Sequence, residues 1–365
     1  MKRPHRLVAS FLLLSIILPQ GWSAQEESPV ALSDDGSSFL GLELEDLRYS
    51  FLLRAFYGYG DAAVFPFDDS VSSLDLEEAQ ITGEYTLADS VLIRTQLDVA
   101  DGVELEDAYV AWSPHRYFGF KFGQFRPRVL FSATADPGSL VFRDRTFLGE
   151  RFDFFEPGIE WSGSEDTLRW FLAALNGTDG GEDGIFASAR LEWSVYEGEL
   201  PRSEGTYGVP DYLRSEFGFF GFVDTSFASS TSDASGFGLD FAMSLGPWYT
   251  HAEVAHVEDA FLPVGLPVLD TQTIVIPGEA DPFSVTFGRR FGERIQTNLR
   301  WQRPDDVVET DHFGLSSNYL FHAGDETRVP IGLTAEISYF DSNRDDGFAF
   351  SLGVSYGSNR ANQRP

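Results

Sequence analysis

The feature that most constrains this chain is an alternation of apolar and polar residues with a period of two, which recurs from Arg48 to near the C-terminus. Successive side chains of a β-strand point to opposite faces, so this period is typical of strands with one apolar face. In the last segment the apolar positions are Phe348, Phe350, Leu352, Val354 and Tyr356. No segment competes as an amphipathic helix. We therefore predict an all-β fold.

Sixteen segments carry the pattern. We predict strands near 48–59, 79–88, 90–100, 103–112, 116–124, 154–162, 167–175, 184–196, 214–223, 236–245, 248–257, 282–291, 294–302, 312–322, 328–340 and 347–357. Each strand with its connection takes about 19 residues, which leaves room for the roughly 10 residues of a tilted membrane-spanning strand.

The connections differ in length in a regular way. Even-numbered strands are mostly followed by short turns, such as Gly246-Pro247. Odd-numbered strands are mostly followed by long connections, at 60–78, 125–153, 258–281 and 303–311. Bacterial membrane barrels have short periplasmic turns and long external loops, so the pattern predicts an even strand number and a periplasmic N-terminus. Two connections depart from it, because 197–213 is long where a turn is expected and 100–102 is short where a loop is expected.

A soluble β-sandwich would show the same alternation, with its apolar face turned into a core. Aromatic residues near strand ends favour a membrane barrel, because such residues form girdles at the two membrane interfaces. They are Trp112, Trp161, Tyr196, Trp248 and Tyr356. We predict a transmembrane antiparallel β-barrel of about 16 strands at 48–357, with a constriction loop folded inward.

The first residues are typical of a secretory signal peptide. Lys2, Arg3 and Arg6 precede an apolar run at 7–18, which is shorter than the roughly 20 residues of a spanning helix, although a retained anchor is the alternative. We place the signal peptide at 1–23, a flexible periplasmic lead-in at 24–47 and a short tail at 358–365. Export and a barrel together predict the outer membrane as the location.

Composition narrows the function classes. The chain has no Cys, so thiolate metal sites and disulfides are excluded, and we predict neither a metal nor a cofactor. Its formal charge is -31, which predicts no binding to nucleic acid. The acidity indicates either a solvated acidic surface or cation-attracting loops outside a pore.

The histidines indicate no catalytic site. His251 and His256 are an odd number of positions apart, so on a strand they face opposite sides and cannot form the helical His-Glu-x-x-His zinc site. His312 and His322 share a face but lie roughly 33 Å apart along an extended strand. We predict that the protein is not an enzyme.

A basic island lies at 115–151, within and beside the long connection after the fifth strand. Its candidate anion-binding residues are Lys121, Arg126, Arg128, Arg143, Arg145 and Arg151. Arginine donors suit phosphate and carboxylate oxygens, and basic side chains in a narrow pore attract anions. The alternative is that these side chains pair with acidic neighbours or lipid headgroups at a rim.

Four motifs carry a family resemblance. They are LEDAYVAW at 105–112, KFGQFR at 121–126, FRDRTF at 142–147 and PGIEW at 157–161. In this order they resemble the phosphate-selective porin O and P family of Gram-negative bacteria, most clearly over 105–180. The resemblance implies a trimer of 16-stranded barrels that passes small anions, with basic side chains at the narrow zone. These are Lys121, Arg126, Arg143, Arg145 and Arg151.

One departure limits that resemblance. Lys121 is the only Lys after the predicted signal peptide, so a lysine-lined phosphate path is not reproduced. Acidic loops would also oppose anion capture from outside. Their residues are Asp68, Asp69, Asp75, Glu77, Glu78, Asp305, Asp306, Glu309, Asp311, Asp341, Asp345 and Asp346. Divalent cations held there would bridge them to lipopolysaccharide.

The sequence thus predicts an outer-membrane porin for passive diffusion of small hydrophilic solutes, with anions such as phosphate preferred. A nonselective or cation-preferring porin and an occluded structural barrel or adhesin are the alternatives. The expected partners are outer-membrane lipid, lipopolysaccharide, small inorganic or organic anions, and two further copies of the chain.

Overall fold

The computed structural model describes residues 38–39, 42–43, 47–60, 71–177, 184–195, 204–206, 213–225, 233–258, 261–264, 272–275, 279–305, 310–322, 331–341 and 346–357. The predicted signal peptide, nearly all of the lead-in and the C-terminal tail lie outside these residues, as do parts of connections 60–78 and 258–281.

Sixteen antiparallel strands form one closed barrel in chain order, which confirms the predicted fold class. The strands are β1 Leu47–Gly60, β2 Val71–Ala88, β3 Val91–Asp98, β4 Glu104–His115, β5 Phe118–Phe125, β6 Glu156–Glu165, β7 Leu168–Asn176, β8 Ile185–Ser194, β9 Arg214–Asp224, β10 Ala234–Leu245, β11 Trp248–Glu258, β12 Phe283–Phe291, β13 Ile295–Arg303, β14 Asp311–His322, β15 Ile331–Asp341 and β16 Asp346–Gly357.

The barrel closes where β16 pairs with β1, with Gly353 opposite Phe56. A short strand, Glu279–Ala280, pairs with β11 just before β12 begins. Two small hairpins lie outside the barrel sheet: Ser38–Phe39 pairs with Leu42–Glu43, and Phe261–Val264 pairs with Gln272–Val275.

The outer face of the barrel is apolar and most of the inner face is polar. In β13, Leu299 and Trp301 are exposed on the outside, whereas Asn298 and Gln302 are buried inside. A soluble β-sandwich would bury the apolar face instead, so this arrangement excludes it and suits a lipid surround. Among the described residues no helix has the length and apolarity to span a membrane.

Every predicted segment overlaps one observed strand, but β2 begins eight residues before its predicted start at 79. The alternation misses this earlier start because of a β-bulge in β2. The register shifts between Arg54 and Ala55 of β1 and leaves Glu77 as an extra residue. Glu77 and Glu78 consequently both face the lumen, which interrupts the period of two.

The connection between β5 and β6, residues 126–155, folds into the barrel and is called the inward loop below. It contains α1 Phe131–Thr134, a 3-10 turn Pro137–Ser139 and α2 Phe147–Arg151. Side-chain caps start the turn and the second helix: Asp136 accepts a hydrogen bond from Gly138 N, and Thr146 accepts one from Gly149 N. The predicted inward fold of this connection is therefore confirmed.

An apolar core lies inside the barrel and fixes one side of the inward loop. Phe152 packs against Phe222 with 5.0 Å between ring centroids, and against Phe186 and Phe220. These three rings belong to the inner faces of β8 and β9. The packed rings fill this part of the lumen, so an open path for solutes must lie elsewhere in the barrel.

A second connection enters the barrel from the opposite end. The β8–β9 connection is the one predicted as anomalously long, and its residues Glu204 and Thr206 are buried inside the barrel. Thr206 N donates to Gln296 Oε1 of β13 at 2.9 Å. The neighbouring Gly205 has φ +86°, a backbone conformation that favours glycine.

Candidate functional site

The first half of the inward loop is hydrogen-bonded to the wall formed by β8, β10 and β11. Arg190 Nη1 donates to Val129 O at 2.7 Å, and Asp240 accepts from Phe131 N at 3.3 Å. Ser132 donates to Glu253 at 2.7 Å. Backbone polar groups without water need such partners, so the inner-wall charges fix the loop in place.

The second half is held by the wall on the far side. Arg54 of β1 donates to Arg143 O at 2.7 Å, and Glu336 of β15 accepts from Arg143 N at 2.8 Å. Arg300 of β13 donates to Asp144 O at 2.8 Å. The loop therefore crosses the lumen and is anchored at both sides.

Three predicted anion-binding residues, Arg143, Arg145 and Arg151, are buried in ion pairs. Arg143 pairs with Glu77 and Arg145 pairs with Asp153 at 2.6 Å. Arg151 lies 3.6 Å from Asp224. Pairing with acidic side chains is the alternative to anion binding that the sequence left open. The Arg143 and Arg151 guanidinium groups join the inward loop to β2 and β9, whereas that of Arg145 bonds within the loop.

Asp153 is the carboxylate at the centre of this network, because Arg126 and Arg145 both contact it. Burial by itself would raise the pKa of Asp153, but the two guanidinium groups hold that pKa below its ordinary value. Burial by itself would lower the pKa of Arg145, yet Asp153 and Glu150 raise it. Both side chains are therefore charged at neutral pH.

A cavity of about 230 Å³ lies between the inward loop and the wall formed by β3, β4 and β5. Four basic side chains line it, so we call it the basic cavity: Arg94, Lys121, Arg126 and Arg128. Its other lining residues are Gln96, Asp107, Tyr109, Phe125, Thr134, Ala135, Asp136, Pro137 and Phe155. The structure thus brings together Lys121, Arg126 and Arg128 of the predicted set.

The three predicted residues of the basic cavity each lie over an aromatic ring. The Lys121 ammonium lies 4.6 Å from the Phe125 ring centroid, and it also pairs with Glu160 at 2.9 Å. The Arg126 guanidinium lies 4.5 Å from the Phe155 centroid. The Arg128 guanidinium lies 4.5 Å from that of Phe171. Such stacking restricts the long side chains while leaving their edges toward the cavity.

Arg94 is not among the predicted anion-binding residues, although the alternation of apolar and polar residues places its side chain on the polar face of its strand. It lies at an inward position of β3, opposite Tyr109 of β4. Its guanidinium donates to Asp107 at 2.7 Å and to Glu84 at 2.6 Å. Arg94 is thus paired with two carboxylates.

A second β-bulge lies in β4 beside the cavity. The β3–β4 register shifts between Thr95 and Leu97, so Gln96 faces two consecutive residues, Glu106 and Asp107. Gln96 donates to Glu106 while Arg94 donates to Asp107, which shows that both carboxylates face inward. A strict period of two places only one of them there.

Glu106 belongs to an acidic cluster beside the basic cavity. Carboxylate oxygens of Glu78, Asp98 and Glu106 all lie within 4.8 Å of one another. Gln80 donates to both Glu78 and Glu106. The cluster opposes the field of the basic side chains, so acidic and basic groups share the narrow part of the lumen.

Gly123 within the KFGQFR motif has a structural role. Its φ is +132°, and a Cβ at this position would collide with the backbone of Ala108 and Tyr109 in β4. Only glycine permits this close approach. Gly123 lies between Lys121 and Arg126, so the backbone that places the two cations depends on it.

The histidines of β11 face opposite sides, as their spacing predicts. His251 is buried inside and lies 3.5 Å from Glu253, whereas His256 is partly exposed and contacts Asp281 at 2.8 Å. His312 stacks on Phe340 inside the barrel at 4.3 Å between centroids. The side chain of His322 lies outside the described residues. The absence of an enzymatic role stays a prediction.

No protein-family model and no curated protein matches this chain. Among solved structures it is similar to Salmonella typhi OmpF in complex with daunomycin, with a TM-score of 0.59 and 11% identity over 85% of this chain and 97% of that one. It is also similar to an anion-selective porin from Comamonas acidovorans, with a TM-score of 0.53 and 9% identity over 85% and 99%.

A third similar structure is the trimer form of OmpT, an outer-membrane protein of Vibrio cholerae, with a TM-score of 0.55 and 13% identity over 85% of this chain and 98% of that one. At such low identity these likenesses show a shared fold, which is that of Gram-negative outer-membrane porins. Membership of the phosphate-selective porin O and P family stays a prediction.

Proposed function

We propose that the chain is an outer-membrane porin through which small hydrophilic solutes diffuse passively. The observation that carries this proposal is the inward loop, which crosses a closed barrel and leaves a cavity lined by charged side chains. An apolar outer face and a polar inner face support a channel in lipid. The similar solved structures are outer-membrane porins and support the same location.

We further propose that the constriction favours anions. Arg94, Lys121, Arg126 and Arg128 line the cavity, and charges in a narrow pore are poorly screened by salt. The neighbouring carboxylates make this preference modest. Arg143 and Arg151, which the sequence placed in the same set, contribute by joining the inward loop to β2 and β9, and Arg145 contributes through bonds within that loop.

Channel formation is tested by adding the purified mature chain to a planar lipid bilayer. We expect discrete conductance steps that grow with KCl concentration, and recovery of the protein in the outer-membrane fraction with a heat-dependent shift in gel mobility. A protein that stays in the periplasmic fraction would contradict the proposed location. A protein that folds in the outer membrane but never conducts would be the occluded structural barrel.

A cation-preferring or nonselective porin is the second candidate. It is favoured by the acidic cluster of Glu78, Asp98 and Glu106 and by the formal charge of -31. Under this alternative the carboxylates outweigh the four cations of the basic cavity. The two candidates predict opposite ion preferences, so one electrical measurement separates them.

A homotrimer in contact with lipid and lipopolysaccharide is the proposed assembly. The similar Vibrio cholerae structure is a trimer form, which supports this assembly by analogy of fold. Crosslinking in intact outer membranes should give a trimer band that boiling in detergent converts to monomer. A monomer alone at every crosslinker concentration would contradict the proposal.

A further inference from the structure

We propose that the basic cavity binds organic monocarboxylates that carry an apolar or aromatic group in preference to inorganic phosphate. This inference rests on the proposed channel function and names the solute class of the same site. Three observations carry it: aromatic rings in the lining, carboxylates that face the cations, and the cavity volume.

The rings are part of the cavity wall. Tyr109, Phe125 and Phe155 all line it, and Lys121 lies 5.1 Å from the Tyr109 centroid as well as close to Phe125. A solute that places its carboxylate on these cations therefore brings its other end close to these aromatic side chains. Apolar and aromatic surface gains from that contact, whereas phosphate has no surface to place there.

The carboxylates disfavour dianions. Asp107 and Asp136 line the cavity, and Glu84, Glu160 and Asp153 pair with its cations. Two carboxylates therefore lie in the lining beside four basic side chains, and three more neutralise those cations from outside it, so the second charge of a phosphate dianion meets more repulsion than the single charge of a monocarboxylate. A monocarboxylate needs only one cation edge, which makes it the better match.

The volume suits a ring-sized solute. The cavity measures about 230 Å³. An apolar protein cavity of about 150 Å³ is large enough to hold benzene. An aromatic monocarboxylate therefore fits the space between the inward loop and β3–β5, with room for water at its carboxylate.

The test uses the full mature chain in planar bilayers and compares four probes as blockers of the KCl current: benzoate, acetate, inorganic phosphate and benzyl alcohol. We expect benzoate to block at a concentration about tenfold lower than the other three, which corresponds to one aromatic contact. Phe155→Leu should remove most of that advantage. Phe287→Leu, on the exposed outer face, is the matched control and should keep it.

Equal block by benzoate and acetate, or stronger block by phosphate, would overturn the inference while the conductance steps uphold the channel. Calorimetric titration of the detergent-solubilised chain with benzoate and with phosphate gives a second readout. If no current is ever seen, the channel proposal fails, and tighter binding of benzoate or of phosphate in that titration decides the solute class on its own.

Discussion

Glu204 accepts a hydrogen bond from the backbone nitrogen of Val141 at 3.2 Å, although the connections that contain these two residues enter the barrel from opposite ends. Val141 belongs to the inward loop, and Glu204 belongs to the β8–β9 connection. Both also reach the same wall, since Glu204 lies 3.4 Å from Arg300 of β13 and Val141 O accepts from Ser316 of β14 at 2.6 Å. The position of the inward loop therefore depends on a contact with the β8–β9 connection.

Glu204→Gln should destabilise the folded barrel and disturb the current. Glu204 and Arg300 are both buried, and removing one partner of a buried ion pair costs about 3–5 kcal/mol. We expect a lower temperature for loss of the heat-resistant gel band and noisier open-channel current. Glu279→Gln, at an exposed site, is the control. Identical melting and noise in both variants would mean that Glu204 does not position the loop.

Phe152→Ala should loosen the inward loop from the apolar core. Phe152 is fully buried against three rings, and removal of such a side chain costs about 3–5 kcal/mol. We expect a reduced free energy of unfolding in urea, measured in lipid vesicles, together with a larger single-channel conductance. Phe237→Ala, on the exposed outer face, should change conductance little. Unchanged conductance in Phe152→Ala would show that the loop is held without this core.

The basic residues should fall into two classes. Arg126→Gln and Arg128→Gln remove charge from the cavity lining and should lower the anion-to-cation permeability ratio, and Arg126→Gln should also cost some stability because Arg126 pairs with Asp153. Arg143→Gln and Arg151→Gln remove buried ion-pair partners and should lower thermal stability more than they alter that ratio. Zero-current potentials and melting temperatures separate the classes. Equal effects of all four on permeability would contradict the division.

Stability should fall as pH rises, in part through Glu150 of α2. Burial raises the pKa of Glu150 to about 7, with Asp153 nearby adding to the effect. The folded state thus keeps a proton that the unfolded chain, with an ordinary pKa of 4.5, has released. The free energy of unfolding should therefore decrease between pH 4.5 and pH 7. Glu150→Gln should flatten this dependence, and an unchanged slope would contradict the assignment.

The strands were predictable because membrane barrels separate apolar and polar residues on two faces. In β16 the apolar positions Phe348 and Phe350 lie outside and Ser351 lies inside, as the alternation predicts. Prediction failed at bulges, where Glu77 and Glu106 add an inward residue that a period of two cannot represent. The early start of β2 and the acidic cluster were missed for that reason.

The candidate site was only partly predictable, because local sequence does not show which charge meets which partner. Arg126 and Arg143 lie in one basic island, yet one lines the cavity and the other pairs with Glu77 of a distant strand. Arg151 likewise pairs with Asp224 of β9. Such pairs depend on the path of the inward loop across the barrel.

The most direct test of the central claim is the zero-current potential of the unmodified mature chain in a planar bilayer under a KCl gradient. If the basic cavity forms the selective part of an open channel, discrete steps should appear and the zero-current potential should take the sign of the chloride equilibrium potential. A potential with the sign of the potassium equilibrium potential, or a folded protein without any conductance, would contradict the account.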